Sequence, residues 1–298
     1  MIKGFAKVAL TSEENRYQTV FRALDFFTQD IVKIIDTIDL SDQHKNYILI
    51  KPNCIVTDNK IAVTHVDALK AVLDFLKPIW QGKIIIAEGS GMGNTMEAFR
   101  NFGYLELKKM YSNLEYSDLN YSNAIFIDIF DHNLKPSRIK IANTVQESPL
   151  RISVSPPKTH DSVIVTLSIK NMAIGSILKE DKLKLSHEPR SLNRSIAAIN
   201  EYTFPHLAVI DGWEGMEGNG PVSGTKVKTR FCLTSTSYLA ADCLAAELMG
   251  FNPVQIGYLN LLGVQNIKDK IEVVGRDRAS FRRQFKPSDS YLEQIQWE

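Results

Sequence analysis

The sequence predicts an α/β fold, a mostly parallel sheet with helices on both faces. Two observations carry this expectation. Runs such as Tyr47-Ile-Leu-Ile50, Lys83-Ile-Ile-Ile-Ala87 and Leu207-Ala-Val-Ile210 are short and apolar nearly throughout, as strands covered on both faces must be. Between such runs lie longer stretches whose apolar residues recur every three or four positions. Strand and helix therefore alternate, which implies parallel strands joined by crossovers.

Val8-Ala-Leu-Thr11 is the first strand. Tyr17, Val20, Phe21, Leu24, Phe27, Ile31 and Ile34 then share one face, which predicts a single amphipathic helix. A polar connector, Ser41-Asp-Gln-His-Lys45, leads into the strand over 47–50, which stops at Lys51-Pro52-Asn53. Thr64-His65-Val66-Asp67 has the form of a capping box, and Val66, Leu69, Leu73 and Leu76 supply the buried stripe of the next helix. The strand over 83–87 ends in Glu88-Gly-Ser-Gly-Met-Gly-Asn94, and a helix is expected over 96–110. The pattern weakens over 111–147: Ala124-Ile-Phe-Ile-Asp128 reads as a strand, Asp131-His132-Asn133 as a turn, and the stretch as a connection or an insertion with antiparallel strands. The chain reads as one domain over 1–298, and a boundary between two α/β lobes would fall near 140–150.

Arg151-Ile-Ser-Val-Ser155 alternates as a short strand does, and Pro156-Pro157 ends it because proline has no N–H for the ladder. Lys158, Thr159 and His160 then fall in the loop at the strand's carboxyl end, and Lys170 and Asn171 follow an apolar run that returns to the same mouth. The charged segment 179–190, with His187, is an exposed loop of a length found in lids and in plain connectors alike. A helix follows over 191–202, and the strand over 207–210 runs into a glycine-rich loop from Asp211 to Pro221. A strand over 226–233, a helix over 238–249 closed by Gly250, a short helix from Asn252-Pro253 and a strand over 271–274 complete the chain.

The 298 residues are 44% hydrophobic and 23% charged, ordinary for a soluble globular protein. Thirty-five basic side chains face 34 acidic ones, net +1, and no lysine or arginine run stands out, which argues against a nucleic-acid partner. No stretch reaches the roughly 20 apolar residues of a membrane helix, and the N-terminus lacks the apolar core of a signal peptide. Cys54, Cys232 and Cys243 form neither a C-x-x-C pair nor a disulfide framework, so a reducing cytoplasm is expected. These residues leave the oligomeric state open.

Four apolar strands end in clusters that mix charge with glycine or proline, and parallel strands would bring all four ends to one edge of the sheet as a pocket. Lys51, Lys158 and Lys170, with Asn53, Thr159 and Asn171, would position the oxygens of a small anionic molecule, a carboxylate or phosphate. His160 would act as general acid or base beside Lys158 and Lys170. Gly89, Ser90 and Gly91, between a strand and a helix, could present backbone N–H groups to the anion, although the spacing matches neither a Walker loop nor G-x-G-x-x-G and equally serves a tight turn. Glu88, Asp211 and Glu217 would suit a divalent cation such as Mg²⁺ or pair with the lysines. Trp213 and Met216 could wall a ligand, and Asp242 could point at the pocket mouth. His65 reads as part of a helix N-terminus, His206 as a strand-edge residue, His44 and His132 as loop residues, and Cys232 and Cys243 as core thiols.

Taken together, Ile50-Lys-Pro-Asn53, Ala87-Glu-Gly-Ser-Gly91, Pro157-Lys-Thr-His160, Thr166-Leu-Ser-Ile-Lys-Asn171 with Gly175, Val209-Ile-Asp-Gly212, Met216-Glu-Gly218 with Gly220-Pro221, and Ala240-Ala-Asp242 resemble the DUF362 family, in that order, from about Val8 to Ile256. The name denotes a domain of unknown function, so the resemblance implies a site and no reaction. Some relatives carry a fused ferredoxin-like segment with cysteine clusters. This chain resembles the stand-alone form, and no iron–sulfur cluster is expected from its three cysteines. The readings that follow are an enzyme acting on a small anionic substrate, with or without a metal or cofactor, a carrier module for an anionic cofactor, a redox accessory protein, or a scaffold with a vestigial pocket.

Overall fold

A computed structural model describes residues 5–42 and 45–298; the start of the chain, Met1-Ile-Lys-Gly4, and Gln43 and His44 of the connector lie outside the described residues. The strands are β1 (Ala6–Thr11), β2 (Tyr47–Pro52), β3 (Lys83–Glu88), β4 (Leu114–Asp118), β5 (Ala124–Phe130), β6 (Pro136–Ala142), β7 (Leu150–Ser155), β8 (Lys158–His160), β9 (Ile164–Thr166), β10 (Leu207–Glu217), β11 (Thr225–Ser235) and β12 (Ile271–Gly275). The helices are α1 (Arg16–Asp25), α2 (Thr28–Ile35), α3 (Val66–Leu76), α4 (Thr95–Asn101), α5 (Asn143–Gln146), α6 (Ser168–Gly175), α7 (Pro189–Thr203), α8 (Tyr238–Leu248), α9 (Gly257–Leu261) and α10 (Tyr291–Gln294).

The main sheet runs β12-β1-β11-β10-β7-β2-β3-β4. Along this path only β11 is antiparallel to its neighbours, so the carboxyl ends of β2, β3, β7 and β10 share one edge. Alternate residues face opposite cores: Leu207 and Val209 of β10 pack with α1 and α3, while Ala208 and Ile210 pack with α7 and α8. Helices therefore cover both faces, and each fully buried leucine or isoleucine contributes about 1.5–3 kcal/mol. β5 and β6 pair with each other as a separate antiparallel ribbon, the insertion expected over 111–147. Among the described residues, no helix is long and apolar enough to cross a membrane.

Several elements depart from the pattern of apolar residues. The helix expected over 17–34 is two helices, because Phe27 N–H donates to Leu24 O (2.8 Å), the Thr28 hydroxyl takes Asp25 O (3.0 Å) and Lys7 Nζ takes Phe26 O (3.0 Å). The helix expected over 96–110 breaks at Gly103, whose φ of +80° belongs to the left-handed region, and resumes as a 3-10 turn over Tyr104–Lys109. Thr64 does not cap α3. His65 does, its Nδ1 accepting from Asp67 N (3.1 Å), while the Thr64 hydroxyl donates to Val154 O (2.6 Å) and accepts from Asn53 N (2.8 Å). Lys158, Thr159 and His160 are not a loop but strand β8, paired antiparallel with β9. Asp211 to Glu217 likewise continue β10 against β11, with a register shift between Gly212 and Glu214 where loop was expected.

Candidate functional site

Three side chains from the ends of β2, β3 and β8 meet the first turn of α6 in one buried polar network. Lys51 is fully buried, and its Nζ donates to Glu88 Oε1 (2.6 Å), Asn171 Oδ1 (3.2 Å) and Pro52 O (3.2 Å). Glu88 also accepts from Cys54 N and Gly89 N, both at 2.8 Å. The Asn171 amide donates to Lys51 O (3.2 Å) and Ser153 Oγ (3.0 Å), and its carbonyl accepts from Asn53 Nδ2 (3.1 Å). Asn53 Oδ1 in turn accepts from Lys158, whose ammonium also donates to Ala62 O (2.7 Å). Buried polar groups persist only when paired, and this network pairs all five side chains.

Asp242 fixes the helix that carries Asn171 and Lys170. It does not point at the pocket mouth; its carboxylate accepts Ser168 N (3.0 Å) and Ile169 N (2.9 Å), the free donors at the start of α6, and burial pushes its pKa up to about 7. Gly175, at the other end of α6, lies against the ion pair: a Cβ there would stand 2.2 Å from Lys51 Nζ and 2.6 Å from Glu88 Oε1. Gly175→Ala is expected to lower stability by about 1–3 kcal/mol through overpacking, read from urea unfolding; an unchanged midpoint would show that the helix can move aside.

These groups open on a cavity of about 330 Å³ lined by Lys51, Asn53, Glu88, Lys158, Thr166, Lys170, Asn171, Lys182 and His187. Its apolar walls are Ile55, Met92, Ile174, Leu183, Leu185 and Pro221. Four lysines face one carboxylate. Burial draws the Lys158 ammonium down to about 7, with the Lys170 charge adding to the effect, and draws Lys170 and Lys182 each down to about 8. Burial also draws Lys51 down, opposed by Glu88. Lys182 stands on a 3-10 turn (Lys179–Lys184) and donates to Gly89 O (2.5 Å) and Asn120 Oδ1 (2.6 Å), so the segment 179–190 forms one wall of the cavity. Lys170, 6% exposed, makes no hydrogen bond or close ion pair with the described residues, Asp161 attracting it only at longer range, and the buried Thr166 hydroxyl has no hydrogen-bond partner either.

Of the residues singled out from the sequence, Lys51, Asn53, Glu88, Gly89, Gly91, Lys158, Lys170 and Asn171 line the cavity. The others are engaged elsewhere. His160 is buried off the cavity, its Nδ1 accepting from Ser162 N (3.0 Å), and burial lowers its pKa to about 3, so its imidazole is uncharged near neutrality. The Thr159 hydroxyl ties β8 to Gly218 O (2.7 Å). The N–H groups of Gly89 and Ser90 are taken by Glu88 and by Thr95 Oγ1 (3.2 Å), and the Ser90 hydroxyl by Cys54 O (2.5 Å), so of the three expected donors only the Gly91 N–H is left without a protein partner among the described residues.

The three acids expected to share a cation are apart in their bonding. Glu88 holds Lys51, Asp211 pairs with Arg16 (3.1 Å), and Glu217 accepts Lys286 N (2.9 Å). Among the described residues, no three His, Cys, Asp or Glu side chains gather to hold a metal ion. Met216 is core and Trp213 stacks near Arg230, so neither walls the cavity. The sequence reading missed Lys182 and Thr166. Lys182 is one lysine in a charged segment and nothing local marks it, whereas Thr166 opens the motif Thr166-Leu-Ser-Ile-Lys-Asn171 but closes an apolar run, which hides its hydroxyl as a cavity group.

Fold and site together define an α/β protein with a cation-rich cavity at the carboxyl edge of a mostly parallel sheet. The sequence profile of DUF362, a domain of unknown function, matches residues 48–247, and the chain belongs to this family. It is 21% identical over 218 residues to the thylakoid-associated protein sll1697 of Synechocystis, a stretch covering 70% of this chain and 64% of that protein, so the match spans under two thirds of the relative. Among solved structures, the lactate racemase apoprotein from Thermoanaerobacterium thermosaccharolyticum is similar in fold, with a TM-score of 0.53 and 15% identity over 83% of this chain and 57% of that one.

Proposed function

We propose that the cavity is the active site of an enzyme acting on a small molecule with a carboxylate or phosphate at one end and an apolar group at the other. Lys158 and Lys170 would bind the anionic end and exchange a proton with the substrate, in the role first expected of His160. The observation that supports this reading most is the Lys170 side chain, 6% exposed and without a hydrogen-bond partner among the described residues, lining the same cavity as the buried, unpartnered Thr166 hydroxyl. Burying a charge without a partner costs several kcal/mol, and an anion in the cavity would cancel that cost. The apolar walls favour a substrate larger than the anion alone. A reducing, cytoplasmic setting is part of the same reading, supported by the free, buried thiols of Cys54, Cys232 and Cys243.

The test is calorimetric titration with a panel of phosphates, carboxylates and 2-hydroxy acids. Lactate is included because the fold neighbour is named for it. Lys158→Met and Lys170→Met should each weaken binding at least tenfold, about 1.4 kcal/mol. His160→Asn, whose side-chain oxygen can still accept Ser162 N–H, should leave it unchanged. Failure of every anion to bind would end this reading, and binding without turnover of any bound probe would make the protein a carrier module.

A further inference from the structure

The four lysines of the cavity are not equivalent. Lys51 is tied to Glu88, Lys158 to Asn53 and Ala62 O, and Lys182 to Gly89 O and Asn120, each with at least two acceptors. Of these four, only Lys170 has an amine that makes no hydrogen bond to a described protein group. It also stands in the first turn of α6, where the positive end of the helix disfavours a second positive charge. Two side chains flank the same space. Thr166 is the register partner of Lys158 on the β8–β9 hairpin, so their side chains leave the same face of the ribbon as neighbours. The Thr166 hydroxyl is buried and unbonded.

We infer that Lys170 is a nucleophile that forms an imine with a 2-oxo acid bearing an apolar side chain. The inference rests on the anion site proposed above and names its substrate class. The carboxylate lies on Lys158 and Thr166, the side chain against Ile55, Met92, Ile174 and Leu183, and the carbonyl carbon next to Lys170 Nζ. The amine lone pair attacks the carbonyl carbon, and the C–O π electrons pass to oxygen as the C–N bond forms. Water then leaves with the former carbonyl oxygen and both amine protons, and the nitrogen lone pair completes the C=N bond. No oxidant or reductant enters. With its pKa near 8, about one Lys170 in ten is a free amine at pH 7, enough to react and recharge.

The experiment uses 4-methyl-2-oxopentanoate with sodium cyanoborohydride, read by intact mass and peptide mapping, with calorimetry on the same ligand and on 2-hydroxy-4-methylpentanoate. The expected result is one adduct per chain, heavier by the acid minus water plus two hydrogens, mapped to Lys170 and reduced at least tenfold in Lys170→Arg. Arginine keeps the charge without a nucleophilic amine, and a melting curve checks that the variant folds. Should that variant fail to fold, mapping of the wild-type adduct decides alone. An adduct on Lys158, on surface lysines, or undiminished in a folded Lys170→Arg variant overturns the inference. Binding of both acids without trapping overturns the imine while leaving the anion site standing; no binding of either acid or of any anion in the panel overturns both.

Discussion

Glu88→Gln is expected to destabilise the protein by about 3–5 kcal/mol, the largest loss of any conservative change around the cavity. Glu88 accepts three bonds, from Lys51 Nζ, Gly89 N and Cys54 N, and all three donors are fixed by β2, β3 and the turns that follow them. Glutamine has nearly the same shape but one oxygen instead of two. Its NH₂ would face a backbone donor, and the Lys51 ammonium would remain fully buried with no countercharge. The measurement is urea unfolding of the wild type, Glu88→Gln, Lys51→Met and the double variant. If the pair acts as a unit, the double variant should lose about 1–3 kcal/mol less than the sum of the singles. Additive losses would show that Glu88 works through its backbone partners alone and that Lys51 finds another countercharge.

The sheet was legible because β2, β3 and the start of β10 are buried on both faces and therefore apolar throughout. Their shared direction follows from the crossovers between them. The pattern alone places Lys51, Glu88, Lys158 and Asn171 at one edge of the sheet. What stayed hidden was the partner of each polar group. Asp242 lies 73 and 74 residues from the N–H groups that it caps, and Arg16 lies 195 residues from Asp211. A glutamate on a strand end looks the same in sequence whether it meets a lysine or a cation. Asp211 and Glu217 were assigned to a pliable loop because glycines interrupt them, yet Gly212 and Gly215 are small for a packing reason. A Cβ on Gly212 would stand 2.3 Å from the Phe231 ring, and one on Gly215 2.8 Å from Pro157 O. His160 shows the same separation: the chemistry of imidazole is visible in a sequence, its burial is not.

Lys170→Met is expected to make the unliganded protein more stable at pH 7, by on the order of 2–3 kcal/mol, and to remove its response to anions. An unfolded chain keeps the Lys170 proton up to its ordinary pKa of 10.5, whereas the folded protein gives it up near 8. Between those values folding releases protons, so stability rises with pH; below pH 8 the full cost of the buried charge is present. Lys158 and Lys182, lowered to about 7 and 8, act in the same direction. Asp242, raised by burial to about 7, acts in the opposite one up to about pH 8, and from about pH 9 upward so do the buried thiols of Cys54, Cys232 and Cys243, so the clean window is about pH 8 to 9. Urea midpoints should climb across that window in the wild type and climb less in Lys170→Met, the two curves converging as pH rises. Methionine fills a similar volume with a flexible apolar chain, so little packing is lost. A carboxylate that binds should raise the wild-type midpoint most at pH 7, because it supplies the charge that the fold leaves out, and should not move Lys170→Met. A variant less stable than the wild type at both pH values would mean that Lys170 is already paired in solution, and the anion site would lose its main support.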